Sequence, residues 1–395
     1  MKNQENMVIA IDGFSGTGKT TIANELCKTH NNFIHIELSE LTKILVPFWI
    51  MQKNNAINLI RDLEIKYYVN NKKVYFNIKK DIPVVKMSKE QIRNKICDMF
   101  QNDHVKEKIF SELTCIINEL KKKYVVIIVG RELQFLKLNP DLHFLFKAEK
   151  SDRIIRIINR DNITEEEAQR REELEEKITC FSNNVITLNT SRLQVENLLR
   201  LISNLLSINK LGISKKTKIK IQMLGAPSTG KTTICNLLSI RLNGVCSDEK
   251  LRIYLQNNNI PFSKLNSFKT SDWYKIIKFQ IENENRIIAE STKNVFGDGG
   301  TLLYALDFNL LGDIQINDLV NEQLNNSDII FVCDNDIEYV EDGYRPRKQE
   351  FNLEQCQKRI INYLNEKNIL YFILSGSIEE RFETARCILK NYIVE

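Results

Sequence analysis

Two stretches of the chain, GFSGTGKTT at 13–21 and GAPSTGKTT at 225–233, repeat one spacing: a glycine, four residues, then Gly-Lys-Thr. The residue types suit one task. Glycines at 13, 16 and 18, and again at 225 and 230, let backbone N–H groups turn inward around phosphate oxygens, and the helix that follows adds its positive N-terminal end. Gly13, Gly16, Gly18, Gly225 and Gly230 are therefore expected to line phosphate. Lys19 and Lys231 would reach the β- and γ-phosphates, while the hydroxyls of Thr20 and Thr232 would help hold Mg²⁺, with Thr21 and Thr233 beside them. A carboxylate near such a loop can orient an acceptor hydroxyl or take its proton. Asp298, in NVFGDGG at 294–300, ends an apolar run and is the best placed for that work.

The elements that must position these groups are legible around them. Each loop leaves an apolar strand, Met7–Ile11 or Ile219–Leu224, and enters a helix-spaced stretch, Lys19–Thr29 or Lys231–Leu242. Further strands are expected at Phe33–Ile36, Tyr124–Val129, His143–Phe146 and Val185–Leu188, then at Asn294–Phe296, Asp328–Cys333 and Leu370–Leu374. Helical patterns fill 88–122, 149–160, 193–208 and 377–391. Strand–helix alternation implies parallel sheets with helices on both faces. The expected fold class is α/β: two tandem P-loop NTPase/kinase domains, at 1–208 and 218–395. NKLGISKKTK, polar and basic, marks a linker over 209–217.

Composition narrows the classes. Of 395 residues 43% are hydrophobic and 27% charged, values ordinary for a globular protein, and the net charge of +5 is spread along the chain. No apolar run approaches the length of a spanning helix, and no basic-aromatic stripe argues for nucleic acid. The first strand starts so early that no signal peptide is expected, and nine cysteines without a CxxC pair fit a reducing cytoplasm. Partners are expected to be small nucleosides or nucleotides, with ATP and Mg²⁺ as cofactors. Oligomeric state is not legible.

Short features in order give the first half a likeness. IAIDGFSGTGKTT, VYFNIKKDIP (74–83), VGRELQFLKLNPDLHFLF (129–146) and VITLNTSRLQVENLLRLI (185–202) together resemble cytidylate kinase over about residues 7–206. The likeness implies transfer of the γ-phosphoryl group of ATP to a nucleoside monophosphate. Since that acceptor is already an anion, such chemistry needs cations that hold two phosphates together more than it needs a base. Arg131 matches the Arg of the family's DGRD segment, with Val129 and Glu132 in place of its two acids. Lys43 and Lys86 stand where the family has acceptor-binding arginines, and lysine cannot make the bidentate fork. Arg153, Arg156 and Arg160 precede a lid carrying Arg170 and Arg171. In EEEAQRREELEEK those two would also pair with Glu166 and Glu167 on a solvated helix.

The second half, about residues 218–392, resembles the ribosylnicotinamide kinase domain of bifunctional NAD-biosynthesis regulators. The likeness rests on GAPSTGKTT, SDEKLRIYL (247–255), NVFGDGG, YVEDGYRPR (339–347) and ILYFILSGSIEERFETA. It implies acceptor contacts from Glu249 and Arg252, a catalytic-type Asp298, and an Arg345 in a lid-like loop that stabilises transferring charge, with Arg347 and Tyr339 nearby. Two readings stay open: a bifunctional nucleoside and nucleotide kinase, or an ATP-gated regulatory module with degenerate acceptor sites.

Overall fold

The computed structural model describes residues 7–51, 56–79, 87–179, 181–182, 185–191, 193–211, 216–260, 262–299, 301–338 and 352–392. The chain divides into two compact units, Met1–Ile202 and Ser203–Glu395.

In the first unit the elements run β1 (Val8–Gly13), α1 (Lys19–Thr29), β2 (Phe33–Glu37), α2 (Leu38–Met51), α3 (Ala56–Arg61), β3 (Ile65–Asn70), β4 (Lys73–Ile78), α4 (Lys89–Phe100) and α5 (Asp103–Leu120). They continue with β5 (Val125–Val129), β6 (Leu142–Lys147), α6 (Lys150–Asp161), α7 (Glu165–Ile178), β7 (Ile186–Asn189) and α8 (Val195–Leu211), the helix that crosses the division between the units. One sheet holds all the strands in the order β3-β4-β2-β5-β1-β6-β7, parallel except for the β3–β4 hairpin. Every residue of β5 is buried, as its unbroken VVIIV demands of a strand covered on both faces. Ala10, Ile34, Ile36, Val126 and Ile128 face a core shared with Ile109, Leu113 and Ile117 of α5. Each buried Val, Leu or Ile there contributes about 1.5–3 kcal/mol relative to exposure.

Sequence periodicity placed one helix over 88–122, but there are two. Gln101 ends the first, and Asn102 caps the second, its side chain accepting from Val105 N at 3.2 Å. The hairpin begins earlier than VYFNIKKDIP implied. Its first strand, β3, is largely exposed and gives no apolar alternation to read. Asn71 and Lys72 turn it with φ of 46° and 63°, the left-handed pair that matches strand twist. Lys72 Nζ then donates to Cys27 O (2.6 Å) and His30 O (3.1 Å) at the end of α1.

The second unit runs β8 (Lys220–Leu224), α9 (Lys231–Arg241), β9 (Val245–Ser247), α10 (Leu251–Asn257), α11 (Thr270–Glu290), β10 (Val295–Asp298), α12 (Thr301–Asp307), α13 (Ile314–Asn325), β11 (Ile329–Cys333), α14 (Leu353–Glu366), β12 (Phe372–Leu374) and α15 (Ile378–Leu389). Its five strands among the described residues are all parallel, in the order β12-β11-β8-β10-β9. Counting from each loop-bearing strand and leaving out the β3–β4 hairpin, both sheets share the order 2-3-1-4-5, and in each the loop leaves the central strand where the winding reverses. The expected α/β architecture with two mostly parallel, helix-flanked sheets is what the structure has. Helix α8 continues to Leu211, three residues into the stretch read as a linker, and 212–215 lie outside the described residues.

Candidate active sites

The two loops close on themselves in the same way. Thr17 Oγ1 donates to Phe14 O at 2.8 Å, and Thr229 Oγ1 to Ala226 O at 2.8 Å. Lys19 Nζ donates to Gly13 O and Phe14 O at 2.6 Å, and Lys231 Nζ to Ala226 O at 2.8 Å. Gly13 has φ 140° and Gly225 φ 145°, and a Cβ there would stand 2.4 Å from Phe146 O or 2.7 Å from Cys333 O. No other residue fits those positions without moving the neighbouring strand. Gly18 and Gly230, both left-handed, open α1 and α9. Thr20, Thr21, Thr232 and Thr233 follow on the first turns of those helices, where backbone N–H groups have no helical acceptor.

Around the first loop, guanidinium groups gather. Arg131 follows the end of β5, and its Nη1 stands 3.3 Å from Glu175 Oε1 of α7. That nitrogen is buried and makes no well-aligned hydrogen bond among the described residues. Arg171 donates to Ser15 Oγ in the loop at 2.9 Å and to Asp161 Oδ2 at 2.6 Å. Arg93, on α4, reaches the same Asp161 oxygen at 2.7 Å, and Arg160 reaches it at 2.9 Å. Arg156 donates to Gly16 O at 3.2 Å and Thr190 O at 2.9 Å. Glu175 ties α7 to the loop, accepting from Ser15 N at 3.0 Å and Ser15 Oγ at 2.7 Å. Burial works against its charge, but Arg131, Arg171 and the bonds from Ser15 outweigh burial and hold its pKa at about 2. Burial also lowers Lys19 to about 8, with Glu175 opposing and Arg131 adding to the fall.

Several sequence expectations resolve here. Arg170 is a solvated surface residue, 3.6 Å from Glu166. Arg171 does not pair with Glu167, which instead completes the N-terminal cap of α7 with Thr164. It turns inward to Asp161 and Glu175, because the helix's other face is buried at Glu172 and Glu175. Arg153 is structural: it forks onto buried Glu172 and donates to Ala148 O at 2.7 Å. Lys43 lies on the exposed face of α2 with Glu40, 3.3 Å away. Glu132 is buried at φ 58° and pairs with Lys106 Nζ at 3.1 Å. Lys86 lies outside the described residues. Arg93 and Glu175 were missed from the sequence, the first being remote in the chain and the second hidden in a glutamate-rich run.

Around the second loop the chemistry differs. Asp298, the last residue of β10, is buried, and its Oδ2 accepts from Thr232 Oγ1 at 2.5 Å. Burial raises its pKa, while the Thr232 bond and Lys231 oppose the rise. Glu249, just ahead of α10, is hydrogen-bonded by the Tyr304 hydroxyl and lies near enough to Asp298 to add to that rise. Arg252 stands on the first turn of α10. Arg381, wholly buried on α15 and missed from the sequence, donates to the loop carbonyl Thr229 O at 2.7 Å and pairs with Asp336. Arg345, Arg347, Tyr339 and Gly300 lie outside the described residues.

The oxygens of Thr232 and Asp298 stand together as a pair of hard donors, a set that suits Mg²⁺ shared with phosphate oxygens. Among the described residues no group of three or more His, Cys, Asp or Glu side chains could hold a metal by itself, and no helix is long and apolar enough to cross a membrane.

Comparison with known proteins agrees with these loops. A family model described as an AAA domain matches residues 220–381. The N-terminal region is 26% identical over 159 residues to a cytidylate kinase of Phytoplasma mali, covering 38% of this chain and 67% of that one. Among solved structures, a NadR protein in complex with NR covers 98% of this chain and 96% of its own at 15% identity, with a TM-score of 0.38. A deoxyadenosine kinase from M. mycoides covers 44% of this chain and 98% of its own at 14% identity, with a TM-score of 0.31. Scores that low carry no argument about substrate. The chain thus carries two P-loops, and its N-terminal region is similar to a cytidylate kinase.

Proposed function

We propose that the chain is a bifunctional, ATP-dependent kinase whose units take acceptors of opposite character. The second unit phosphorylates the hydroxyl of a nucleoside, with nicotinamide riboside the first candidate. The first unit phosphorylates a nucleoside monophosphate, a pyrimidine one by its likeness to cytidylate kinase. The observation that carries this reading is the pairing of buried Asp298 with Thr232 beside one loop, against the cluster of Arg93, Arg131, Arg160 and Arg171 beside the other.

In the second unit a neutral hydroxyl must lose its proton as it attacks. Asp298 Oδ2 already holds one hydroxyl, that of Thr232, and a carboxylate so placed can orient the acceptor and take its proton. Lys231 and the N-terminus of α9 hold the transferring phosphate. Glu249 and Arg252 would fix the acceptor's polar groups, with Arg345 closing over the charge. In the first unit the acceptor arrives ionised. Lys19 and the loop hold the donor, while Arg131 and Arg171 clamp the two phosphates and offset the charge that repels them. When bound, Mg²⁺ screens the β- and γ-oxygens; Thr232 with Asp298, and Thr20 in the first unit, are the residues that would hold it.

Lys43 turned toward Glu40, and Glu132 tied to Lys106, favour a second reading for the first unit: ATP binding with little acceptor turnover. Incubation with ATP and a panel of nucleosides and monophosphates, with products weighed by mass spectrometry, separates the two. Consumption of a monophosphate supports the kinase; ATP binding without any consumption supports a regulatory unit.

A further inference from the structure

Among the described cysteines, two meet. Cys235 Sγ on α9 lies 2.9 Å from Cys246 Sγ on β9, roughly 0.9 Å longer than a disulfide bond. The elements that bring them together are fixed. Strand β9 is the edge of the sheet, pairing on one side with β10, where Cys246 is in register with Phe296. Helix α9 packs over the same strands, and Cys235 Sγ also faces Phe296 O at 3.4 Å.

We propose that Cys235 and Cys246 are a reversible dithiol–disulfide pair, and that its oxidation clamps the phosphate-loop helix of the second unit to the edge strand of its sheet. The place in the site gives the clamp its effect. Cys235 is one helical turn beyond Lys231 and Thr232, and Phe296 is two residues before Asp298, which accepts from Thr232 at 2.5 Å. Asp248 and Glu249 lie two and three residues after Cys246. A bond between the two sulfurs therefore links the groups that hold phosphate to the strand that leads to the acceptor side. The effect on nucleotide rests on the P-loop reading of the second unit; the formation of the bond does not.

The oxidant is a small disulfide such as oxidised glutathione. Cys246 is half-buried and Cys235 buried, so Cys246 is the entry thiol. Contact with Cys246 and then burial push the Cys235 thiol pKa far up, so Cys235 is not the thiol that opens the exchange. The Cys246 thiolate attacks one sulfur of the reagent and displaces the other as a thiolate, forming a mixed disulfide. Cys235 then gives up its proton and attacks the Cys246 sulfur, releasing the second small thiol. Two protein thiols are oxidised, and one small disulfide is reduced to two thiols.

The test uses the full chain carrying Lys19→Ala, so that nucleotide binding reports on the second unit alone. After oxidised glutathione, peptide mass analysis is expected to find Cys235 joined to Cys246 and two hydrogens lost. ATP affinity should shift at least threefold and return with dithiothreitol. Cys246→Ser and, independently, Cys235→Ser should abolish both responses while the thermal melt shows a folded chain. Absence of the linked peptide overturns the proposal, and so does a linked chain whose ATP affinity equals that of the reduced one. A reduced chain that binds no ATP would instead count against the P-loop reading, and the linked peptide would still report on the bond.

Discussion

Val129 and Asp298 occupy the same place in two sheets of the same winding. Val129 pairs with Ile11, two residues before Gly13, and Asp298 pairs with Met223, two residues before Gly225. One unit thus puts a buried valine where the other puts a buried carboxylate bonded to the loop's threonine. The valine side is compensated by guanidinium groups from β5's end, α4, α6 and α7. On the proposed reading, the difference sets one frame for two acceptors. A hydroxyl acceptor needs a group to take its proton, whereas a phosphate acceptor needs positive charge.

The comparison would break most visibly at the loop lysines. Lys231→Ala is expected to lower turnover at the second site by roughly 10²-fold or more, leaving the first intact, and Lys19→Ala to do the reverse. Product mass spectra of each variant check this; loss of both activities from one change would mean the units do not act separately. Arg131→Ala sharpens the contrast further. Losing a charged contact of about 1.5–3 kcal/mol should slow monophosphate turnover roughly ten- to a hundredfold, with nucleoside turnover unmoved.

A smaller effect is expected from protons. Burial holds Lys19 at about 8, so above that pH the free lysine is largely neutral, whereas phosphates favour its charged form. ATP binding to the first unit, measured calorimetrically at pH 8.5–9 in the Lys231→Ala chain, should therefore take up protons, and the uptake should fade below about pH 7. Equal proton exchange at both pH values would place Lys19 outside the phosphate's reach. Least of all should come from Arg170→Ala, since an exposed pair is worth about 0–1 kcal/mol; its thermal stability and turnover should match the parent, while Arg171→Ala loses monophosphate turnover.

The contrast was only partly legible in the sequence. Both loops, the strands that carry them and Asp298 at a strand end could be read directly, because backbone conformation and burial impose local patterns on residue type. Arg93 could not: it meets Arg171 only at Asp161, the last residue of α6, a contact between distant segments. EEEAQRREELEEK read as a solvated helix with paired charges, and Arg170 obeys that reading. Glu172 and Glu175 on the same helix are buried against Arg153 and the loop, since charge can fill an interior face when its partners are also buried. Strand β3 went unread because its exposure leaves no alternation, and β9 because it is only three residues long.

The most direct test of the two-acceptor account is Asp298→Asn, which keeps the side chain's shape and removes the base. Nucleoside-to-monophosphate and monophosphate-to-diphosphate rates are measured on the same full-length protein, with ATP binding as the control for folding. The account predicts that the first rate falls roughly 10²-fold or more while the second is unchanged and ATP still binds. Equal loss of both rates, or no loss of the first, would contradict it.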